Sequence, residues 1–131
     1  MIIPKRSVRF LDYLNAGGRN LIREWLHGIP VGARQKITAR LEYLENPENW
    51  HPPQVKPLTG YKGLLEIRIW YGKVLYRPLV WRGPDPGNAT ILVGAEEKGN
   101  RFDPPNAPDT AVKRRAEILK NPTRLIDHDY S

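Results

Sequence analysis

Two arginines and one glutamate, on two neighbouring segments with strand-like patterns, are the residues of this sequence best placed to do chemistry together. Glu66 and Arg68 lie in a segment whose odd positions are apolar, the period-two pattern of a half-buried strand, and Arg77 lies in the segment that returns after Gly72-Lys73. A two-residue turn there places Arg68 opposite Arg77. Because like charges directly opposite in a sheet are unfavourable, this register predicts either compensation by Glu66 or a bound anion. The alternative is an ordinary solvated face with cross-strand salt bridges.

A basic turn follows the next predicted strand. It contains Lys98 and Arg101 on either side of a turn-forming glycine. The two cations could position a phosphate, Lys98 as a point charge and Arg101 through the fork of its guanidinium, although an ordinary solvated turn has the same composition. Glu96 and Glu97 precede the turn and reduce its positive potential.

The charge balance of the chain points to an anionic partner. Its 131 residues carry 21 lysines and arginines against 14 aspartates and glutamates, a formal net charge of +7, and the basic excess lies in residues 1–40 and 61–101. Cysteine is absent, which excludes disulfides, thiolate nucleophiles and cysteine-ligated zinc, and no two histidines have metal-ligand spacing. No uncharged apolar run approaches the roughly 18 residues of a spanning helix. We therefore expect a cytoplasmic protein that uses neither metal nor cofactor and contacts no membrane.

The elements that must position these side chains follow from the apolar periodicity. It predicts one strand, two helices, a meander of at least three strands and a last helix, over residues 8–14, 19–28, 33–44, 65–71, 74–82, 90–95 and 108–119 in that order. Residues 47–60 contain four prolines and are predicted to be an irregular connection. The expected architecture is α+β, a small antiparallel sheet with the helices packed against one face.

Two motifs, in this order and spacing, carry a resemblance to a known family. They are Gly63-Leu64-Leu65-Glu66-Ile67-Arg68 and Gly72-Lys73-Val74-Leu75-Tyr76-Arg77, and an apolar strand, a loop with Lys98 and a helix at 111–115 follow them. Together they resemble the RelE/HigB superfamily of bacterial toxins, in particular its phage-derived HigB-like branch. The resemblance covers residues 8–120 and implies a RelE-like toxin domain over residues 1–120, followed by a C-terminal tail at 121–131.

The activity that the resemblance implies is that of a type II toxin, which enters the ribosomal A site and cleaves mRNA without a metal. The ribose 2′-hydroxyl attacks the adjacent phosphate, so such a site needs cations, a base and an acid. The resemblance implies that Arg68, Arg77, Lys98 and Arg101 bind the phosphate and stabilise its charge. Glu66 is then either the base or the residue that orients Arg68. The implied partners are the ribosome, mRNA and a cognate antitoxin, which we expect to be a helix-turn-helix DNA-binding protein.

The acid of this reaction has two candidates at the C-terminus. Some members of the superfamily use a tyrosine, histidine or aspartate near the end of the chain, and this sequence contains His128 and Tyr130 there. The alternative is a frayed tail, because Asn121-Pro122 separates these residues from the last predicted helix.

Further RNA contacts are expected from one helix and one tyrosine. Arg34, Lys36 and Arg40 share the polar face of the second predicted helix and suit docking on ribosomal RNA. Tyr61 could stack on a base, and it could equally belong to the core or its rim.

Two other functions fit the same sequence. One is a non-catalytic inhibitor of the ParE type, which binds DNA gyrase and needs no site for a 2′-hydroxyl. The other is a module that binds RNA or the ribosome without cleavage, which the absence of a convincing acid–base pair favours.

Overall fold

The computed structural model describes residues 7–131 and has the mixed α+β architecture expected from the sequence. The first six residues of the predicted domain 1–120 lie outside the described range. The helices are α1 (Leu21–Gly28), α2 (Val31–Tyr43) and α3 (Ala107–Lys120), with a short 3-10 helix at Pro47–Asn49. The strands are β1 (Arg9–Tyr13), β2 (Val55–Pro57), β3 (Leu64–Ile67), β4 (Ile69–Tyr71), β5 (Val74–Tyr76), β6 (Leu79–Trp81), β7 (Asn88–Val93), β8 (Glu96–Lys98), β9 (Arg101–Asp103) and β10 (Leu125–Asp127).

The strands form two sheets, and one pair corrects the expectation of a purely antiparallel arrangement. The larger sheet has the order β10-β1-β7-β6-β3-β2, and the smaller has the order β4-β5-β8-β9. All neighbours are antiparallel except β1 and β7, where Phe10 pairs with Ala89 in parallel. Parallel neighbours need a long connection, and α1, α2 and five strands lie between these two in the chain. Residues 47–60, expected to be irregular, contribute the 3-10 helix and β2.

The two strands of the predicted hairpin, residues 65–71 and 74–82, have the expected register, but each is interrupted once. Glu66 pairs with Leu79 and Trp70 with Leu75, as a turn at Gly72-Lys73 requires. The first interruption falls at Arg68, between β3 and β4, and the second at residues 77–78, between β5 and β6. Proline has no N–H to donate to a ladder, which accounts for the break beside Pro78. The charged residues of the hairpin therefore sit where one sheet passes into the other.

Helices cover both faces of the strands, where the sequence predicted one covered face. α1 and α2 pack on the face formed by Ile67, Ile69, Tyr76 and neighbours, whereas α3 packs on the face of Leu64, Leu79 and Leu92. Alternation along each strand puts successive side chains on opposite faces, so both faces need an apolar cover. No helix of the described residues is long and apolar enough to cross a membrane.

The C-terminal tail is not frayed, so the alternative of a frayed tail is wrong. β10 pairs antiparallel with β1, with Leu11 opposite Asp127, and the backbone N–H of His128 donates to the carbonyl of Phe10 at 3.0 Å. Residues 125–127 are therefore an edge strand of the larger sheet, and the segment 121–131 is part of the same structure as the rest of the chain.

Candidate functional site

A buried carboxylate holds the two arginines of the central hairpin together. Glu66 Oε1 accepts from Arg68 Nη1 at 2.7 Å, and Oε2 accepts from Arg77 Nε at 2.9 Å and Nη2 at 2.5 Å. The Glu66 side chain is only 5% exposed. The conflict between opposite arginines is thus resolved by compensation within the chain, which is one of the two outcomes that the register predicted.

A second carboxylate and an aromatic ring cover the remaining surface of Arg77. Glu97 Oε1 lies 3.3 Å from Nη1, and the guanidinium carbon lies 3.8 Å from the centre of the Phe102 ring. As a result, the Arg77 side chain is 13% exposed, and every nitrogen of its guanidinium donates to a carboxylate. Two N–H groups of the guanidinium remain, but the two carboxylates and the ring leave little of Arg77 open to a phosphate.

The basic turn does not join these arginines. Lys98 pairs with Arg101 across Gly99 and Asn100, whose φ angles of 57° and 64° are those of a tight hairpin turn. The N–H of Arg77 bonds to the carbonyl of Ala95, so Lys98 lies three residues, or about 10 Å, further along the strand. Alternation points Glu97 and Phe102 to the face of Arg77, and it points Lys98 and Arg101 to the other face.

A basic groove of about 800 Å³ lies between α2 and the edge strands β2 and β4. Its lining, as far as the chain is described, contains four cationic side chains and none that is acidic. The cations are Lys36, Arg40, Lys56 and Arg68, and the rest of the lining is Ala39, Tyr43, Pro53, Gln54, Ile69 and Trp70. We call this feature the basic groove. Cations without interspersed carboxylates concentrate positive potential, which suits an extended anion.

Two cations of α2 also attach the helix to the open edge of β4. Arg40 Nη1 donates to the carbonyl of Arg68 at 2.6 Å, and Lys36 Nζ lies 3.4 Å from the carbonyl of Trp70. Lys36 and Arg40 are about one helical turn apart, and the carbonyls of Arg68 and Trp70 are two residues apart on an extended chain. Both distances are about 6 Å, so the two donors can reach the two acceptors together. Partial burial lowers the pKa of Arg40. Lys36 makes the longer contact and is exposed, whereas Arg34, the third cation predicted on this face, does not line the groove.

Three of the charged or aromatic residues that line the groove were not singled out from the sequence. Lys56 lies in the proline-rich segment that was predicted to be irregular. Trp70 occupies a polar-side position of its strand, and an aromatic residue at such a position was the available signal. Tyr43 follows Lys36 and Arg40 at helical spacing, which places all three on one face of α2. Trp70 is 55% exposed and Tyr43 is 45% exposed.

His128, one of the two candidate acids, lies at the opposite edge of the larger sheet from Arg68. Its Nδ1 is 2.8 Å from Asp12 Oδ1, both side chains are 2% exposed, and Asn20 Nδ2 donates to the other Asp12 oxygen at 2.9 Å. The order of strands puts four spacings, roughly 19 Å, between β10 and β3. The structure therefore does not bring this candidate acid together with Arg68, because return of the tail to β1 buries it elsewhere.

The two remaining tyrosines of the sequence prediction also lie away from the basic groove. The Tyr130 ring packs edge-on against His128, with centroids 4.9 Å apart, and burial followed by the charge of Glu45 raises its pKa. The Tyr61 hydroxyl donates to Asp109 Oδ1 at 3.1 Å, and its ring packs against the core under α3.

The arrangement as a whole can bind an anionic strand, and it lacks a converged acid and base. No cluster of three or more His, Cys, Asp or Glu suited to a metal ion occurs among residues 7–131. Glu66, the candidate base, is occupied by two arginines, and His128 and Tyr130 are on another edge. Comparison with protein-family models, with curated proteins and with solved structures finds no match to this chain.

Proposed function

We propose that this chain is a toxin of the RelE/HigB type, which binds mRNA in the basic groove in the cytoplasm and inhibits translation. The order of strands, helices and basic motifs supports a RelE-like fold, and the charge of the groove supports an RNA partner. A cognate helix-turn-helix antitoxin and the ribosome are the partners of this proposal.

The observation that carries the proposal is the composition of the basic groove. Four cations line it without an acidic residue in the described lining, although the chain as a whole has 14 acidic residues. Phosphate contacts supply most of the affinity of proteins for nucleic acids, and lysines and arginines make most of them. One of the four cations, Arg68, is also among the residues that the resemblance places in the reaction.

Cleavage of the bound message is the second candidate function, and one observation favours it. Arg68 belongs to the groove lining and also contacts Glu66 at 2.7 Å, so a cation and a carboxylate stand together beside the proposed RNA path. Binding without cleavage fits the geometry better, because Glu66 already accepts three hydrogen bonds and no candidate acid lies nearby.

Translation in a cell-free system tests the proposal. We expect the wild-type protein to stop synthesis, and the double variant Lys36→Ala/Lys56→Ala to need at least about tenfold more protein for the same effect, because two phosphate contacts are lost. The matched control, Lys113→Ala/Lys120→Ala, removes the same charge from exposed positions of α3 and should act as wild type.

Reverse transcription of the translated message separates the candidate functions. Cuts inside the translated region indicate the endoribonuclease, and intact message under arrest indicates binding alone. Normal translation with impaired DNA supercoiling contradicts the proposal in favour of a gyrase inhibitor.

A further inference from the structure

Two large aromatic side chains stand exposed beside the basic groove. Trp70 is 55% exposed at the edge of β4, and Tyr43 is 45% exposed at the end of α2. Aromatic residues normally bury most of their area, and the other three tryptophans of this chain are partly buried. Exposed rings on the lining of a cationic groove are the arrangement with which proteins hold unpaired bases.

The groove also contains cations that are free to contact a ligand. Lys36 and Lys56 are exposed and form no ion pair in the described part of the chain, and Lys36 makes only a 3.4 Å contact with a carbonyl. The two other cations are engaged, since Arg40 donates to the carbonyl of Arg68 and Arg68 itself is paired with Glu66. The first phosphate contacts must therefore come from the two lysines.

We propose that the basic groove binds an unpaired RNA strand on its own, without the ribosome, by stacking bases on Trp70 and Tyr43 while Lys36 and Lys56 contact the backbone. This inference rests on the proposed function only in taking RNA as the ligand. Bases within a duplex are stacked on one another, so their faces are not available to these rings. The groove should therefore bind single-stranded RNA in preference to a duplex. It should tolerate changes of base, because every base has a face on which an aromatic ring can stack.

Fluorescence anisotropy with a labelled, unstructured RNA of about 12 nucleotides tests the inference, using the full chain and no ribosomes. We expect the single strand to bind at least about tenfold more tightly than the same strand annealed to its complement. Lys36→Ala/Lys56→Ala should weaken binding and reduce the slope of log affinity against log salt by about 1.4, since each contact to a single strand contributes about 0.7.

Variants of the rings test the stacking separately from the charge. Trp70→Ala and Tyr43→Ala should each weaken single-strand binding by about five- to 150-fold and leave the salt slope unchanged. Trp70→Phe should keep most of the affinity, and RNA should quench tryptophan emission less in this variant than in wild type, because the quenched ring is gone. Tyr71→Ala is the matched control: Tyr71 is exposed on the same hairpin, lies against Gly32 and does not line the groove. Urea unfolding of each variant checks that the fold is intact.

The outcomes distinguish this inference from the proposed function. Equal affinity for single strand and duplex, or full affinity in the folded Trp70→Ala variant, overturns the stacking arrangement. Arrest of translation that requires the groove lysines, with no binding of free RNA, overturns this inference and leaves the proposed function standing. Binding of free RNA with no effect on translation supports the inference and contradicts the proposed function. Displacement of the RNA by an acidic peptide that binds more tightly assigns the groove to a protein partner and overturns the inference.

Discussion

Replacing Glu66 with glutamine removes the negative charge on which two partly buried arginines depend. Breaking a buried ion pair by removal of one partner costs about 3–5 kcal/mol. Glutamine keeps the volume and one acceptor oxygen, and the Arg68 side chain is 22% exposed, so water compensates it in part. We therefore expect the free energy of unfolding to fall by about 2–4 kcal/mol.

A second carboxylate of the same cluster provides the control for this measurement. Glu97 makes a single 3.3 Å contact with Arg77, and its side chain is 28% exposed. Because this is one long contact to a partly exposed carboxylate, Glu97→Gln should lower stability less than Glu66→Gln, by about 1 kcal/mol. Urea denaturation followed by tryptophan fluorescence gives both values, provided that the m-value is unchanged. A loss of less than 1 kcal/mol in Glu66→Gln, or a loss equal to that of Glu97→Gln, would refute the reasoning.

The same substitution has an opposite effect on binding. Glu66→Gln releases the guanidinium of Arg68 from its carboxylate beside the basic groove, which adds one cation to those available for phosphate. We expect a tighter complex with single-stranded RNA and a salt slope steeper by up to about 0.7. Affinity that falls together with stability would show that Arg68 has no access to the strand.

Three further substitutions test other parts of the structure. His128→Ala removes one of the two hydrogen-bond partners of the buried Asp12 and should lower the free energy of unfolding by about 1–3 kcal/mol, with RNA affinity unchanged because the pair is far from the groove; loss of RNA affinity at full stability would contradict this placement. Gly94→Ala should lower the free energy of unfolding by about 1–3 kcal/mol, and with it the urea midpoint, because an added Cβ would overlap the Trp25 ring. An unchanged midpoint would contradict that contact. Burial raises the pKa of Tyr130 above its ordinary value of 10.0, so above this pH the unfolded state loses a proton that the folded state keeps. Stability should then fall with pH, and Tyr130→Phe should make the slope shallower by up to about 1.4 kcal/mol per pH unit in urea titrations; an identical slope in the variant would exclude this tyrosine as a source.

Local pattern was enough to predict the central hairpin. The turn at Gly72-Lys73 and the alternation over residues 65–71 favour one register, and this register has Trp70 opposite Leu75, as found. Compensation by Glu66 was one of the predicted outcomes, because a residue two positions from Arg68 must lie on the same face. The three helices were predicted from their apolar stripes for the same reason.

Contacts between distant positions could not be predicted from the sequence. Asp12 and His128 are 116 positions apart, and no local pattern indicates that the chain returns to bury them together. The side of the sheet to which Lys98 points depends on the number of residues between the end of β7 and the start of β8. A shift by one residue there would move its side chain to the other face. The groove was missed because its residues come from a helix, a proline-rich segment and a strand edge, each unremarkable by itself.

Arg68 connects the stability of the hairpin to the proposed binding of RNA. Its N–H bonds to Gln54 at 2.9 Å, its carbonyl accepts from Arg40, and its guanidinium donates to Glu66. Arg77 is more deeply enclosed by carboxylates than Arg68. Arg77→Ala removes two of the three hydrogen bonds to the buried Glu66, so its first effect is a loss of stability rather than a loss of ligand binding. If the proposed inhibition of translation is lost in that variant, the loss bears on the function of Arg77 only if the fold is intact. The exposed lysines of the groove provide the cleaner test, since their removal changes the charge presented to RNA and leaves the buried ion pairs in place.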